Sequence, residues 1–317
     1  MVYRKNFVII FLFILFALVA CKEDALDFPI SADSSATPEI KRPIVLGDIS
    51  DDPAEVIEGT QPLADYLAAE LSNYGITEGK VKIAASADEM AQLMANGEVD
   101  LYFDSVFPAT FISDKSGARP ILRRWRFGVD EYHTVIFTRA DNGITSIDEL
   151  PGHILALDSP YSTSGFLLPA VYLSEAELKL VGKRSYNDPV SGDELGFVFS
   201  YDDENTLQWV LSGLVTVGAT DDYNYDIAFP ASIRDNLVVL ARTESVPRQV
   251  VVVRANMDSD LLDTIIQVLT TAHETEAGQA ALGPFQTTRF DEFPDGIEST
   301  EERMREMMEI VQDIPLP

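Results

Sequence analysis

The chain has 317 residues, of which 46% are hydrophobic, and carries a formal net charge of −29 at pH 7. That length is enough for one large domain or two lobes. The charge argues against a nucleic-acid partner, because a phosphate backbone needs a basic surface. It also argues against electrostatic adhesion to anionic lipid head groups.

The N-terminus has the pattern of a secretory signal. Arg4 and Lys5 precede an apolar run over residues 7–19, which is shorter than the roughly 20 residues that a membrane-spanning helix needs. The run ends in Leu-Val-Ala-Cys, which resembles a bacterial lipobox, and Cys21 is the only cysteine in the chain. We predict a signal peptide over residues 1–20 and lipidation of Cys21. The protein would then lie in the cell envelope, on the outer side of the cytoplasmic membrane or in the periplasm. The alternative is an ordinary signal peptide with a chance cysteine.

Strands and helices alternate in the first part of the chain. A polar tether over residues 21–42 precedes strands predicted at 44–47, 81–84 and 99–103 and a short helix at 88–96. A longer helix is predicted over 61–74, with Pro62 in its first turn and Gly75 at its end. The alternation predicts an α/β lobe with a mostly parallel sheet.

The alternation continues to the end of the chain. Further strands are predicted over 132–138, 154–157, 215–219, 237–240 and 250–253, and helices begin near 166, 206, 259 and 299. Four consecutive valines at 250–253 are typical of a strand buried on both faces. Met304, Met307 and Met308 form a stripe on the last helix, which we interpret as packing rather than a ligand groove.

Several stretches together resemble one protein family. The first stretch comprises residues 45–49 and 61–67, and the second comprises 132–136 and 146–152. The third is 158–169, and Ser245-Val246-Pro247 is a shorter fourth match. In this order and spacing they resemble, over residues 43–290, the phosphate/phosphite/phosphonate-binding proteins of ABC importers.

The resemblance implies a type II periplasmic-binding-protein fold, in which two α/β lobes joined by crossing strands enclose a ligand cleft. Residues 43–130 and 249–317, with the C-terminal helices, would form the first lobe, and 131–248 the second. The implied function is that of a solute-binding lipoprotein, expected to be a monomer, which binds a small oxyanion by lobe closure and delivers it to an ABC permease.

The segment Ser162-Thr163-Ser164-Gly165 has a physical rationale of its own. It joins a strand to a helix, so its backbone amides have no partners within the helix. These amides and the three hydroxyl groups can converge on an anion, aided by the helix dipole. In the family this segment holds the phosphonate oxygens. A plain helix cap without a ligand is the alternative.

Other ligand contacts are implied by position within the family pattern. They are Asp221, Asp222 and Tyr223 after a strand, Asp104 and Ser105 after another, His133 at the hinge, and Asp202. A solvated acidic turn is the alternative for the first three, and a structural hydrogen bond for His133.

The acidic residues raise a question about the charge of the ligand. If Asp104, Asp202 and Asp221 all face the cleft, they repel a bare dianion. A cationic group on the ligand, a protonated ligand oxygen, or carboxylates that point to solvent would each resolve this. The arginines at 123, 124 and 126 would provide positive potential near the cleft or pair with surface acids.

An enzyme is the first rival function, and we do not expect one. The three histidines have no metal-ligand spacing, and no nucleophile elbow or glycine-rich nucleotide loop occurs, so no metal or cofactor is expected. The second rival is a sensory protein of the same fold that presents a ligand to a membrane receptor or kinase. An importer component for a different, zwitterionic solute is the third.

Overall fold

The computed structural model describes residues 41–50 and 52–317. The predicted signal peptide, Cys21 and nearly all of the tether lie outside these residues. Among the residues described, no helix is long and apolar enough to cross a membrane.

The strands of the described chain run in two six-stranded sheets and one short pair. They are β1 Arg42–Ile49, β2 Ile76–Ala84, β3 Leu101–Asp104, β4 Arg119–Arg126, β5 Glu131–Tyr132, β6 Thr134–Arg139, β7 Ile154–Leu157, β8 Leu180–Gly182, β9 Leu195–Phe199, β10 Val217–Asp221, β11 Leu237–Arg242, β12 Val246–Pro247, β13 Gln249–Val253 and β14 Thr287–Asp291. The helices are α1 Pro53–Glu70, α2 Ala87–Ala95, α3 Val106–Ser116, α4 Leu168–Glu175, α5 Asp203–Ser212, α6 Ala231–Arg234, α7 Ser259–Thr271, α8 Glu276–Leu282 and α9 Ile297–Val311.

The first sheet has the strand order β14-β4-β13-β3-β1-β2 and belongs to the first lobe. The second sheet, β11-β6-β10-β7-β9-β8, belongs to the second lobe. The prediction of a mostly parallel first sheet is wrong, because only the β1–β2 and β1–β3 pairs are parallel and the other three pairs are antiparallel. Strand β13 enters after the chain returns from the second lobe, and it pairs antiparallel with both β3 and β4.

Helix α1 begins earlier than the sequence pattern predicts. Pro53 occupies its first turn, and the side chain of Asp52 caps it by accepting a hydrogen bond from the amide of Glu55. Pro62 therefore lies in the helix interior, where it removes one backbone donor. Both prolines suit a first helical position, so their local chemistry does not distinguish between the two starts.

The core confirms two packing predictions. The valines at 250–253 are all buried, between β3 and β4, as expected for a strand covered on both faces. Met304 and Met307 of α9 are buried in a cluster that includes residues of α3 and α4, so the methionine stripe is packing.

Two short strands connect the lobes. β5 and β12 pair with each other, with Tyr132 opposite Val246. Helix α9 forms a third link, because Arg305 pairs with Asp114 of α3 and Arg303 pairs with Glu175 of α4. The first and second lobes are therefore bridged on the side of α3 and α4 as well as at the hinge.

Candidate functional site

The predicted anion loop begins a helix with a single π-helical turn, Thr163–Leu167, that precedes α4. Ser162 caps this turn, and its Oγ accepts a hydrogen bond of 3.0 Å from the amide of Gly165. A Cβ atom on Gly165 would lie only 2.3 Å from the Cβ of Asp158. The loop therefore requires glycine at this position for steric reasons.

Thr163 connects the loop of the second lobe to the first lobe. Its hydroxyl donates to Oγ of Ser105 at 2.9 Å and accepts from the backbone amide of Phe107 at 3.1 Å. Ser105 is the N-cap of α3, yet its own side chain makes no capping bond. Thr163, only 1% exposed, thus caps a helix of the opposite lobe.

The remainder of the loop is tied to the start of the second lobe. The carbonyl of Ser164 accepts a 2.7 Å hydrogen bond from the hydroxyl of Thr134, the first residue of β6. Tyr132, two residues earlier in the hinge, lies beneath the guanidinium of Arg248 at 4.4 Å from its ring centre. The loop, the hinge and this arginine are consequently neighbours.

Two carboxylates mark the ends of strands in the first lobe. Asp104 accepts hydrogen bonds from the Tyr102 hydroxyl and, at 2.6 Å, from the Ser105 amide, while burial raises its pKa. Asp48, at the end of β1, has a pKa raised to about 6 by burial and then by the neighbouring Asp104. Both side chains line a cavity of about 560 Å³ in the first lobe.

Two arginines line the same cavity, and the sequence-based site did not include them. Arg124, 5% exposed, donates to Oγ1 of Thr287 at 2.7 Å and to Oε1 of Gln249 at 2.6 Å. Arg126 donates to Oε1 of Gln286 at 3.0 Å. They stand two residues apart on β4, and this spacing along a strand puts both on one face.

Their neighbour Arg123 faces the other way. It forms a two-pronged ion pair with Asp291, at 3.0 and 2.7 Å, and lies 3.4 Å from Glu131. The two roles proposed for this arginine cluster therefore divide between its members. Arg123 pairs with acids near the hinge, and Arg124 and Arg126 contribute positive charge to the cavity.

Asp221 and Arg248 form a contact at the hinge side of the cleft. Asp221, the last residue of β10 and 4% exposed, lies 3.4 Å from Nη1 of Arg248. It also accepts from the amide of Asn224 at 2.9 Å. Tyr223, which was also predicted to contact ligand, stacks on Phe127 with a ring separation of 5.2 Å.

His133 lies between a carboxylate and a guanidinium. Its Nδ1 is 3.3 Å from Oδ2 of Asp222, and its Nε2 is 3.0 Å from Nη1 of Arg242. Asp222 also receives the backbone amide of His133, at 3.4 Å. The alternative to a ligand contact for His133 was a structural hydrogen bond, and these contacts are of that kind.

The second lobe adds carboxylates that end strands β7 and β9. Asp202 caps α5 by accepting from the amide of Asn205 at 3.0 Å. Burial raises the pKa of Asp203 to about 7 and that of Asp158 above its ordinary value. Sequence reasoning missed Asp48, Asp158 and Asp203, although each stands at the end of a strand or the start of the next helix.

The geometry therefore combines hydroxyl and amide donors, guanidinium groups and protonatable carboxylates at one edge of the two sheets. The loop residues at 162–165 meet Asp104 and Ser105 through Thr163. His133 and Asp222 form a separate contact, and Asp202 caps a helix. Among the residues described, no group of three metal-ligating side chains is suited to a metal ion.

Comparison with known proteins gives one family. A family model described as "ABC transporter, phosphonate, periplasmic substrate-binding protein" matches residues 49–295. The structure of XAC2383 from Xanthomonas citri bound to chloride ion is 31% identical, with a TM-score of 0.77, over 85% of this chain and 97% of that chain. The same protein bound to ATP aligns at 29% identity over 85% and 96%, again with a TM-score of 0.77.

A more distant structure shares the fold. PhnD1 from Prochlorococcus marinus, in complex with methylphosphonate, is 15% identical, with a TM-score of 0.63, over 86% of this chain and 98% of that chain. The predicted two-lobed type II periplasmic-binding-protein fold is confirmed. Because the family model covers most of the chain, the protein is a member of the family of periplasmic substrate-binding proteins of ABC phosphonate transporters.

Proposed function

We propose that this protein is a lipid-anchored solute-binding protein that captures a small oxyanion of the phosphonate, phosphite or phosphate class. Its family consists of extracytoplasmic binding components that work with an ABC permease, rather than enzymes. In this proposal the ligand bridges the lobes, shifts them toward the closed form, and is then transferred to the permease. Residues 131–248 act as the lobe that moves, and Cys21 carries the lipid.

The observation that carries this proposal is the meeting of two helix N-termini across the cleft. The turn that begins at Thr163 and helix α3, which begins at Val106, belong to opposite lobes and are joined by the Thr163 hydroxyl. The N-terminus of a helix attracts anions, because its amides are unpaired and its dipole is positive there. Two such ends at one point favour an oxyanion between the lobes.

The recorded ligands of the 29–31% identical relative agree with this charge. XAC2383 has been observed with chloride and with ATP, both of which are anions. In the proposal, the oxyanion contacts the hydroxyls of residues 162–164 and the amides of Thr163 and Ser164, since the amides of Ser162 and Gly165 already have partners within the loop. Asp104, Ser105, His133, Asp202, Asp221, Asp222 and Tyr223 complete the proposed ligand contacts.

A thermal-shift screen tests the proposed ligand class. Full-length protein is heated with phosphate, phosphite, methylphosphonate or 2-aminoethylphosphonate. A saturable rise in Tm is expected for at least one of them, because a ligand that binds only the folded state stabilises it. Simultaneous substitution of Ser162, Thr163 and Ser164 by Ala should abolish that rise, whereas Ser212→Ala, at the end of α5 away from the cleft, should retain it. No shift with any phosphorus compound contradicts the proposal.

The lipid anchor has its own test. Cys21→Ala should release the protein from the membrane fraction of expressing bacteria while the thermal shift with ligand stays the same. Retention of this variant in the membrane fraction contradicts anchoring through Cys21.

A further inference from the structure

Two arginines of the cleft carry hydrogen-bond donors that no described residue accepts. The Nε atoms of Arg126 and Arg248 are buried and have no partner. Arg126 bonds only to the side chain of Gln286, and Arg248 only to Asp221, at 3.4 Å. A guanidinium offers five N–H donors, so most of the donors on these two side chains are unused.

Arg124 and Arg126, the pair in the cavity, also lack direct ion pairs. Within the described part of the chain, no carboxylate oxygen lies within 4.0 Å of the guanidinium nitrogens of Arg124 or Arg126. The partners of Arg124 are a hydroxyl, an amide oxygen and the carbonyl of Phe285, all of them neutral. Burial, followed by the repulsion of Arg248, lowers the pKa of Arg126. Asp104 and Asp48 act in the opposite direction but make no direct ion pair with either guanidinium, so an anion that contacts these buried cations stabilises them further.

The two buried carboxylates of the cavity, Asp48 and Asp104, already have donors, whereas Glu55 and Glu58, which also line it, are exposed to solvent. Both oxygens of Asp104 accept hydrogen bonds from Tyr102 or Ser105, and Oδ1 of Asp48 accepts the amide of Ile49 at 2.7 Å. Among the buried side-chain atoms described at this cavity, the one without a partner is a donor, Nε of Arg126, and a ligand with anionic oxygens supplies its acceptor. This argues against an ammonium group on the ligand as the main partner of this cavity.

We propose that Arg124 and Arg126, with Arg248 beside them, form a second anion-binding site in the cleft, which takes a second acidic group of the same solute. The inference rests on the proposed function and specifies its substrate class. The solute is an organic phosphonate or phosphate that carries a further carboxylate or phosphoryl group. The cavity of about 560 Å³ is within the range of pockets that hold such organic molecules.

Matched ligands and a single substitution test this site. Binding of methylphosphonate, phosphonoacetate and 2-aminoethylphosphonate to the full-length protein is measured by calorimetry. All three compounds carry a phosphonate group. Methylphosphonate has no second charged group, phosphonoacetate has a carboxylate, and 2-aminoethylphosphonate has an ammonium group. We expect phosphonoacetate to bind at least about tenfold more tightly than methylphosphonate, because hydrogen bonds between charged groups are strong.

In Arg126→Gln, the preference for phosphonoacetate should fall to within about twofold, and Arg126→Lys should restore part of it because the charge returns. Arg139→Gln removes an arginine that pairs with Asp141 at the far end of β6, and it should keep the full preference. Melting temperatures identify any variant that has lost its fold.

The outcomes separate the two proposals. Equal binding of methylphosphonate and phosphonoacetate, or a preference that survives in Arg126→Gln, overturns the second anion site and leaves the phosphonate class intact. Tighter binding of 2-aminoethylphosphonate than of phosphonoacetate also overturns it, because the cavity would then prefer a cationic group to an anionic one. No binding of any of the three compounds overturns the second anion site, and the thermal-shift screen with phosphate and phosphite then decides the oxyanion class separately.

Discussion

The hydroxyl of Thr163, in the second lobe, accepts a 3.1 Å hydrogen bond from the backbone amide of Phe107, in the first turn of α3 in the first lobe. A helix end is thus capped by a residue that is 56 positions away in sequence and attached to the opposite lobe. Opening the cleft breaks this cap and exposes unpaired amides of α3. The contact therefore makes the closed arrangement more favourable by the energy of a helix cap.

Thr163→Val removes the hydroxyl and keeps a similar shape. We expect it to lower the free energy of unfolding by about 1 kcal/mol, the typical cost of a lost N-cap, and to enlarge the radius of gyration of the unliganded protein. Urea denaturation and small-angle X-ray scattering measure the two effects. Thr163→Ser keeps the hydroxyl and should behave like the natural protein. An unchanged radius in the valine variant would show that the contact does not hold the lobes together.

Gly165→Ala tests the close approach within the loop. The added Cβ would meet Asp158 Cβ at 2.3 Å and Ser162 Oγ at 2.8 Å. We expect a loss of about 1–3 kcal/mol in unfolding free energy, typical of overpacking, together with weaker ligand binding. Gly192→Ala is the control, because no atom lies within 4 Å of its added Cβ. Equal stability of the two variants in thermal denaturation would contradict this packing.

Asp48→Asn tests the raised pKa of a cavity carboxylate. The pKa rises from 3.8 to about 6 on folding, so the folded protein holds a proton that the unfolded chain releases between these values. The stability contributed by this group is complete below pH 3.8 and declines as the pH rises through 6. The asparagine variant should match the natural protein near pH 4 and exceed it by about 1–2 kcal/mol at pH 8.

Urea midpoints at a series of pH values measure this difference. Asparagine can still accept the hydrogen bond from the Ile49 amide, so the substitution isolates the charge. A stability difference between variant and natural protein that does not change from pH 4 to 8 would contradict the raised pKa.

Arg303→Met tests the link that α9 makes to the second lobe. Arg303 contacts Glu244 at 2.5 Å, Glu175 at 3.3 Å and Glu306 at 3.1 Å, so three carboxylates hold one guanidinium. Removing it should cost about 1 kcal/mol, the upper range for exposed pairs, because several charges form a network.

The amides of α9 should also exchange hydrogen faster in Arg303→Met, which mass spectrometry detects. Lys179→Met removes a single exposed pair with Asp193 and should have almost no effect. Unchanged exchange in α9 would show that packing of Met304 and Met307 suffices to hold the helix.

Several strands and the anion loop were predictable because their signals are local, whereas β4, β9, β14 and α3 were not predicted. An apolar run such as the valines at 250–253 has to be buried, and a Ser/Thr/Gly segment between a strand and a helix has to cap that helix. The start of α1 was not predictable in the same way. Pro53 and Pro62 both satisfy the local rule for a first turn, and packing of the whole helix on the sheet chose between them.

For the arginine cluster, too, local sequence signals predict only part of the arrangement. The spacing of Arg124 and Arg126 on a strand does predict that they share a face, which Arg123 does not. Their surroundings come from distant segments, since Gln249, Thr287 and Gln286 reach them only after the chain has returned from the second lobe. No local pattern in the sequence specifies these neighbours.

The sequence by itself determined the type of many segments, because burial periodicity, turn chemistry and capping act over a few residues, and its resemblance to a known family implied the two-lobed fold. Only the tertiary structure decided which charges meet in the cleft and that Thr163 caps a helix of the other lobe. Electrostatic energies and hydrogen bonds depend on distances of a few ångströms between atoms, and the fold, rather than the order of residues, sets those distances.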